Sequence, residues 1–450
     1  MKRMFILALD GTPFTFLKSM IEKGHMPRLA SLAGQGIFRQ MDSVIPPVSS
    51  SAWTSFMTGQ TPAYHGIWGF LDRQPASLQL YVPDATHIRS KTLWDILSRH
   101  GKRCFVMNVP MTAPPQPING IIIGGFPASN LDQAVYPAEI GKVLKARGYR
   151  IDADVELAKT DSDAFLLHLE EALEKRLEIM RHYRQQGSWD FFMAHIMETD
   201  RLHHFFWEHM ADGHPRYAPA FINFYRRIDE LIGEVAGMCD DETALLLLSD
   251  HGFTSLKKEV YLNVFLQQQG FFKRTKTGGG NLGDMHPESI AYSIYPGRIY
   301  INLRGREKYG SIHPGTEYDR AVRAISIALG SLTDPETGQS IIQRIITRSE
   351  LIEGTDSSKL LITSTLHAIP DNFLDSLPDL LAMPHAGYDL KGNFDHDQLF
   401  DKTVFNGMHT PDDAFILARS LNLPEERFSI TRLFSIILNY FAVTASSISG

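Results

Sequence analysis

The segment Leu245-Leu246-Leu247-Leu248-Ser249-Asp250-His251-Gly252 constrains this chain more than any other. An unbroken apolar run has no face to offer to water. It reads as a strand buried on both sides, as inside a parallel sheet, although periodicity alone also admits a buried helix segment. An acid and a histidine follow at once, and Gly252 then turns the chain. In open α/β sheets, binding sites lie just beyond the carboxyl ends of the strands. A carboxylate and an imidazole delivered there together suit a metal ion that accepts oxygen and nitrogen donors.

At 450 residues the chain is long for one core, which predicts two domains or one large domain with an insertion. The balance of 44 basic against 51 acidic residues argues against general nucleic-acid binding. Only Cys104 and Cys239 occur, so neither a disulfide framework nor a thiolate zinc site is expected. The apolar run Met4–Leu9 stops at Asp10, too short for a signal-peptide core and suited to a first strand. Leu433–Ala445, interrupted by Asn439, is too short to span a bilayer and reads as a core helix. The expectation is a cytoplasmic protein without membrane insertion. Its oligomeric state is left open.

Strand-like runs at Phe5–Leu9, Cys104–Asn108, Ile121–Gly124, Phe191–Met197, Ala244–Leu248, Arg298–Leu303, Leu380–Met383 and Ala414–Ala418 alternate with helical patterns. This predicts an α/β fold with a mainly parallel central sheet and helices on both faces. The clearest helix is Asp161–Arg184, with Phe165, Leu169, Leu173, Leu177 and Met180 on one stripe. Residues 254–404 are richer in turns and include the glycine-rich stretch 276–280. They read as an insertion, partly returning to the main sheet and partly forming a cap. Residues 1–253 and 405–450 are left as the core.

Five places put a ligand-type or nucleophilic side chain at a strand end or helix start. Asp10-Gly11 follows the first strand, though an Asp-Gly pair alone is more often a turn. Pro46-Pro47-Val48-Ser49-Ser50-Ser51 precedes a helical run ending near Thr58-Gly59, so Ser49 or Ser50 reads first as an N-cap. The positive field of that helix start also suits an anion or a developing alkoxide. Asp200 and His204 are four apart and share one helical face, with His203 pointing elsewhere. Asp250-His251 and the isolated His409 complete the set. With 18 histidines in the chain no single member is telling, and the set carries the weight.

In order, Asp10-Gly11, Pro46-Pro47-Val48-Ser49 with Thr58-Gly59 and His65-Gly66-Ile67, Asp200-x-x-x-His204, Ser249-Asp250-His251-Gly252 and Gly407-Met408-His409 resemble the alkaline phosphatase superfamily. Within it the match is to the type I phosphodiesterase/nucleotide pyrophosphatase family. The resemblance implies an alkaline phosphatase-like fold and two divalent ions, Zn2+ first and Mn2+ as the alternative. By position, Asp200, His204 and His409 would hold one ion, and Asp10, Asp250 and His251 the other, with Ser49 as its nucleophilic ligand. The implied reaction is double displacement on a small phosphoester, a nucleotide being one candidate. Ser49 attacks phosphorus, and water then hydrolyses the phosphoseryl intermediate.

Two departures stand out. The family most often carries threonine at the nucleophile, and counting back from Thr58-Gly59 selects Ser49 here. Phe70 also stands where the family places a phosphate-binding asparagine. Asn108 and backbone amides near Ser50 are candidate substitutes, and Trp68 with Phe70 are candidates for an apolar wall. A phosphomonoesterase and a phosphomutase are the neighbouring alternatives. A non-catalytic binding protein is the more distant one, disfavoured because every ligand position is filled.

Overall fold

The leucine run is a strand, Thr243–Leu248, with every side chain buried. In the computed structural model, which describes residues 2–275, 280–354 and 374–443, it lies inside an eight-stranded sheet. The strand order is Ile37–Met41, Ala414–Arg419, Thr243–Leu248, Arg3–Leu9, Phe191–Ile196, Cys104–Met107, Gly120–Ile123, Val135–Tyr136. The five strands from Thr243–Leu248 to Gly120–Ile123 run parallel. Antiparallel strands close both edges.

Alternation along each strand sends side chains to two layers. Phe5, Leu7, Leu9, Phe105, Met107, Phe192, Leu245 and Leu247 share a core with helices Ser162–Gln185 and Tyr217–Gly237. The stripe Phe165, Leu169, Leu173, Leu177 and Met180 is buried there, and the Asp161 carboxylate caps its helix by accepting from the Asp163 and Ala164 amides. On the other face, helices Ser49–Thr58, Leu93–Arg99 and Arg432–Tyr440 pack on one another. The predicted α/β class with a mainly parallel, helix-covered sheet is what the chain adopts.

The chain divides into two compact units. The first, Met1–His65, Asp84–Ser255 and Val404–Gly450, contains this sheet. The second is Gly66–Pro83 with Leu256–Thr403. It holds a four-stranded antiparallel sheet of Ala291–Ile294, Arg298–Ile301, Leu380–Pro384 and Ile342–Thr347, and a three-stranded sheet of Tyr388–Lys391, Lys258–Tyr261 and Phe400–Asp401.

Two boundary expectations are corrected. Among the described residues, no strand of 254–404 returns to the main sheet. Arg298–Ile301 and Leu380–Pro384 pair with each other and bury Ile299, Ile301, Leu380 and Ala382 in a separate core with Ile325 and Leu329. Residues 66–83, assigned to the core from sequence, belong to the second unit. There Arg73 is fully buried and donates to Glu307 at 2.7 Å, a contact spanning 234 residues that no local pattern announces. Most of the stretch 276–280 lies outside the described residues. No helix among the described residues is long and apolar enough to cross a membrane.

Candidate active site

Every candidate ligand sits at or just past an element of the first unit. Asp10 ends the strand Arg3–Leu9, and Asp250-His251 follow Thr243–Leu248. Asp200 lies in the first turn of helix Glu198–Ala211, with His204 one turn further on. His409 arrives on Gly407–Thr410, which pairs antiparallel with Gly252–Ser255 and sets His409 opposite Phe253. Gly11 makes this convergence sterically feasible. Its φ is +62°, and a Cβ there would lie 3.0 Å from both the His251 ring and the Phe253 ring.

Ser49 is not the helix cap that sequence alone suggested. It is the first residue of Ser49–Thr58, whose N-cap is Val48. Its hydroxyl donates instead to Asp10 Oδ1 at 3.1 Å and lies 3.2 Å from His251 Nε2. The Ser50 and Ser51 hydroxyls, also buried, have no hydrogen-bond partner. Of the three serines, only Ser49 reaches the carboxylate and imidazole.

The donors form two groups. Asp200, His204 and His409 lie together, with His409 Nε2 3.0 Å from His204 Nε2 and 3.3 Å from Asp200 Oδ1. Around Ser49, His251 Nε2 is 3.5 Å from Asp10 Oδ1 and 3.4 Å from Asp250 Oδ2. Ligands about 2.0–2.1 Å from one tetrahedral ion stand roughly 3.3 Å apart, and both groups match that spacing. Asp200 is also within reach of the second group, since Asp10, Asp200 and His251 offer ligand atoms all within 4.8 Å of one another. From sequence it had been given to one group alone.

The way each side chain is held supports the same fit. Asp10 Oδ2 accepts from Trp53 Nε1 at 2.9 Å and pairs with His195 Nε2 at 2.8 Å, leaving Oδ1 to the cluster. Asp250 Oδ1 takes the Gly11 amide at 3.1 Å, while Oδ2 is buried without a donor. Asp200 Oδ2 takes Arg201 at 3.2 Å, and its Oδ1 likewise lacks a well-aligned donor. His251 and His204 direct Nδ1 at the carbonyls of Gly252 and Gly407, at 3.0 and 3.2 Å. A carbonyl only accepts, so Nδ1 carries the proton and the Nε2 lone pair faces the cluster, the usual arrangement of a ligating histidine.

Electrostatics follow from crowding and burial. Burial, then the Asp10 charge, lift the Asp250 carboxyl well above the carboxylate range. Burial also raises Asp10, but the His195 hydrogen bond, with the His195 and His251 rings close by, outweighs it and leaves the group lowered. At Asp200 the His204 and His409 contacts overcome burial and hold it well down. Burial, with His409 beside it, depresses His251 to about 3 and keeps it neutral. Three buried carboxyl groups crowded beside imidazole nitrogens form a site for cations.

Sequence reasoning missed the residues that orient these ligands. Trp53 is buried inside its helix, and its indole N–H donates to Asp10. His195 stands alone in the apolar strand Phe191–Ile196, a signal that was available. His203 turns away from the ligands, as expected. Its Nδ1 meets the Gly11 carbonyl at 2.9 Å and its Nε2 the Tyr225 hydroxyl at 2.7 Å. The three candidate pocket residues divide between units. Asn108 is fully buried in the first, whereas buried Trp68 and half-buried Phe70 belong to the second.

Residues 4–412 match the sequence profile of the family described as type I phosphodiesterase/nucleotide pyrophosphatase. No curated protein sequence matches the chain. Solved structures of similar fold include phosphonoacetate hydrolase from Sinorhizobium meliloti in complex with phosphonoformate. It has 16% identity and a TM-score of 0.60 over 99% of this chain and 96% of that one. Murine ectonucleotide pyrophosphatase/phosphodiesterase 5 in complex with AMP has 13% identity and a TM-score of 0.57 over the same shares. Profile, fold and ligand cluster agree: the chain belongs to the type I phosphodiesterase/nucleotide pyrophosphatase family of the alkaline phosphatase superfamily and is a metal-dependent phosphoester hydrolase.

Proposed function

We propose that the enzyme is a phosphodiesterase/nucleotide pyrophosphatase working by double displacement through a phosphoseryl intermediate on Ser49. The observation that carries this reading is the placement of Ser49 Oγ, 3.1 Å from Asp10 Oδ1 and 3.2 Å from His251 Nε2, at a helix start. Asp10, Asp250, His251 and Ser49 would hold one divalent ion, and Asp200, His204 and His409 the other, with Asp200 close to both groups. Nitrogen and oxygen donors without thiolate suit Zn2+, with Mn2+ as the alternative. When bound, such a pair activates a nucleophile and offsets charge on the attacking and leaving oxygens.

The protein's own contribution is orientation. Asp10 Oδ1 accepts the Ser49 proton in a hydrogen bond, which aims the hydroxyl away from the cap position. His251 cannot act as a cation toward it, because burial holds its imidazole neutral. Ser49 Oγ gives up its proton to solvent and forms the new P–O bond, and the leaving oxygen departs with the electron pair of the bond that breaks. Water then attacks phosphorus, breaking the Oγ–P bond and returning a proton to Ser49 as phosphate product leaves.

A diester is favoured over a monoester because Arg201, the nearest cation in sequence, is already committed. It donates to Asp152 at 3.0 and 2.5 Å as well as to Asp200. Each of its three nitrogens already donates to a carboxylate, so its charge is offset before any extra phosphate charge arrives. Substrates are small phosphoesters, and the family description makes nucleotides the first class to assay. The test is bound-metal analysis followed by assay of bis-aryl and mono-aryl phosphates with wild type and Ser49→Ala. Loss of about 10³-fold or more in Ser49→Ala, with bis-aryl turnover dominant in wild type, is expected. Near-normal turnover in the variant would overturn the nucleophile assignment.

A further inference from the structure

Asn108 terminates the strand Cys104–Met107 at the same carboxyl edge that delivers Asp10 and Asp200. Met107 is level with Ala194, and Ala194 with Leu7. Asn108 therefore leaves the sheet level with His195, the residue that holds Asp10. Its φ of +62° is left-handed, a conformation that asparagine tolerates better than most residues. The backbone is anchored there, since the Asn108 amide donates to Ile123 at 2.7 Å.

The side chain is fixed by a buried relay. Glu198 takes Arg176 Nε at 3.0 Å and Nη2 at 2.5 Å. Arg176 Nη1 donates to the Tyr149 hydroxyl at 2.7 Å, and Nη2 also donates to the Ile151 carbonyl at 3.2 Å. With its oxygen serving as acceptor, the Tyr149 hydroxyl sends its own proton to Asn108 Oδ1, 3.0 Å away. Burial pushes the Tyr149 phenol up to about 12, so it stays a donor. Every member is buried, with Asn108 and Arg176 wholly so. The relay begins two residues before Asp200 and ends on an amide whose orientation is thereby settled. Asn108 Nδ2 points away from Tyr149, is shielded from water, and has no hydrogen-bond partner.

A buried amide N–H2 left without an acceptor costs free energy unless a ligand supplies one. We propose that Asn108 Nδ2 donates to a non-bridging phosphoryl oxygen of the bound substrate, with Tyr149 and, behind it, Arg176 and Glu198 as positioning residues. This rests on the phosphoester reading of the same site and names the group that recognises the anion. The relay fits that task because a donor already aimed needs no reorganisation when negative charge builds on the phosphoryl oxygens.

The test uses inorganic phosphate as the probe, titrated against full-length protein at equal zinc content and also as a competitive inhibitor of bis-aryl phosphate hydrolysis. Asn108→Ala should weaken phosphate binding about ten- to hundredfold, the range for a hydrogen bond to a charged group. Asn108→Asp is the sharper variant. It tolerates the left-handed backbone and keeps an oxygen for Tyr149, but it turns an anion toward the phosphate. It should bind phosphate more weakly still, measured well below the variant's own melting temperature. A purely structural role predicts the reverse order, with Asn108→Asp the milder of the two, and that result would overturn the proposal. Tyr149→Phe should weaken phosphate binding by a smaller factor with the same sign. Wild-type affinity in Asn108→Asp would sink the inference while leaving Ser49 untouched. An inactive wild type that still shows the Asn108 effect on phosphate binding would instead sink the reaction and spare the binding residue.

Discussion

In the second unit, buried Glu307 accepts from Arg73 at 2.7 Å, Arg306 at 3.0 Å and Tyr292 at 2.9 Å. Asp379 is ringed by Arg306, Arg348, Tyr318 and the Ile301 amide, at 2.6–3.3 Å. In the first unit, Asp10, Asp200 and Asp250 are as deeply buried, yet among the described residues the one guanidinium that pairs with them is that of Arg201, on Asp200. The second cluster pairs its carboxylates within itself. The first leaves oxygens of Asp200 and Asp250 without donors and turns imidazole lone pairs toward them. Burial is expensive for either kind of cluster, and only the first relies on something outside the chain to offset it. A self-satisfied ion network is architecture, and a deficient one is a site.

The comparison can be broken most forcefully by removing metal. Dialysis of zinc-loaded protein against a strong chelator should abolish phosphodiester hydrolysis, by about 10³-fold or more, and lower the melting temperature. Restoring free Zn2+ to about a hundred times its dissociation constant should return roughly 2.7 kcal/mol of stability for each ion bound. A melting temperature indifferent to zinc would mean that the first cluster is satisfied without cations.

Next in size is the loss of balance in the second unit. Asp379→Asn removes the charge that faces Arg306 and Arg348 and should destabilise by about 3–5 kcal/mol, measured by urea unfolding. Its zinc affinity should match wild type, because the balanced network has no part in binding the ion. A tenfold change in zinc affinity would count against treating the clusters as separate.

Smaller again is the effect of Trp53→Phe, which keeps the ring and deletes the N–H on Asp10 Oδ2. With one donor gone, Asp10 is less firmly held to present Oδ1, and zinc affinity should fall about ten- to hundredfold in a chelator competition. Unchanged affinity would show that His195 alone orients the carboxylate.

This contrast also explains what could be read from the chain beforehand. Asp10, Asp250 and His251 stand within three residues of an apolar strand end, and Asp200 with His204 at helical spacing, so local pattern exposes each. The eight-stranded sheet was legible for the same reason, apart from Ile37–Met41 and Val135–Tyr136, a half-buried edge strand and a two-residue one. What holds the ligands was not legible. Trp53 reaches Asp10 across 43 residues and His195 across 185, and Arg73 meets Glu307 across 234. Those partners are chosen by the folded topology, and no periodicity encodes them. Ser49 shows the limit within a single motif. A serine at a helix start is a cap by default, and only the approach of Asp10 and His251 gives its hydroxyl another task.

The finest distinction between the clusters is their response to acid. Burial raises the Asp379 carboxyl, but the Arg306 hydrogen bond and charge prevail and leave it below its ordinary value. A carboxylate depressed in the folded state stabilises the protein above its unfolded value, near pH 3.9, and that contribution is lost as pH falls through the folded value. Zinc-loaded wild type should therefore lose stability below about pH 4 more steeply than Asp379→Asn, which has no proton to gain at that position. Parallel urea titrations from pH 7 down to pH 3 measure the difference. Identical slopes would mean that the Arg306–Asp379 pair survives protonation, and that the second cluster is held by packing more than by balanced charge.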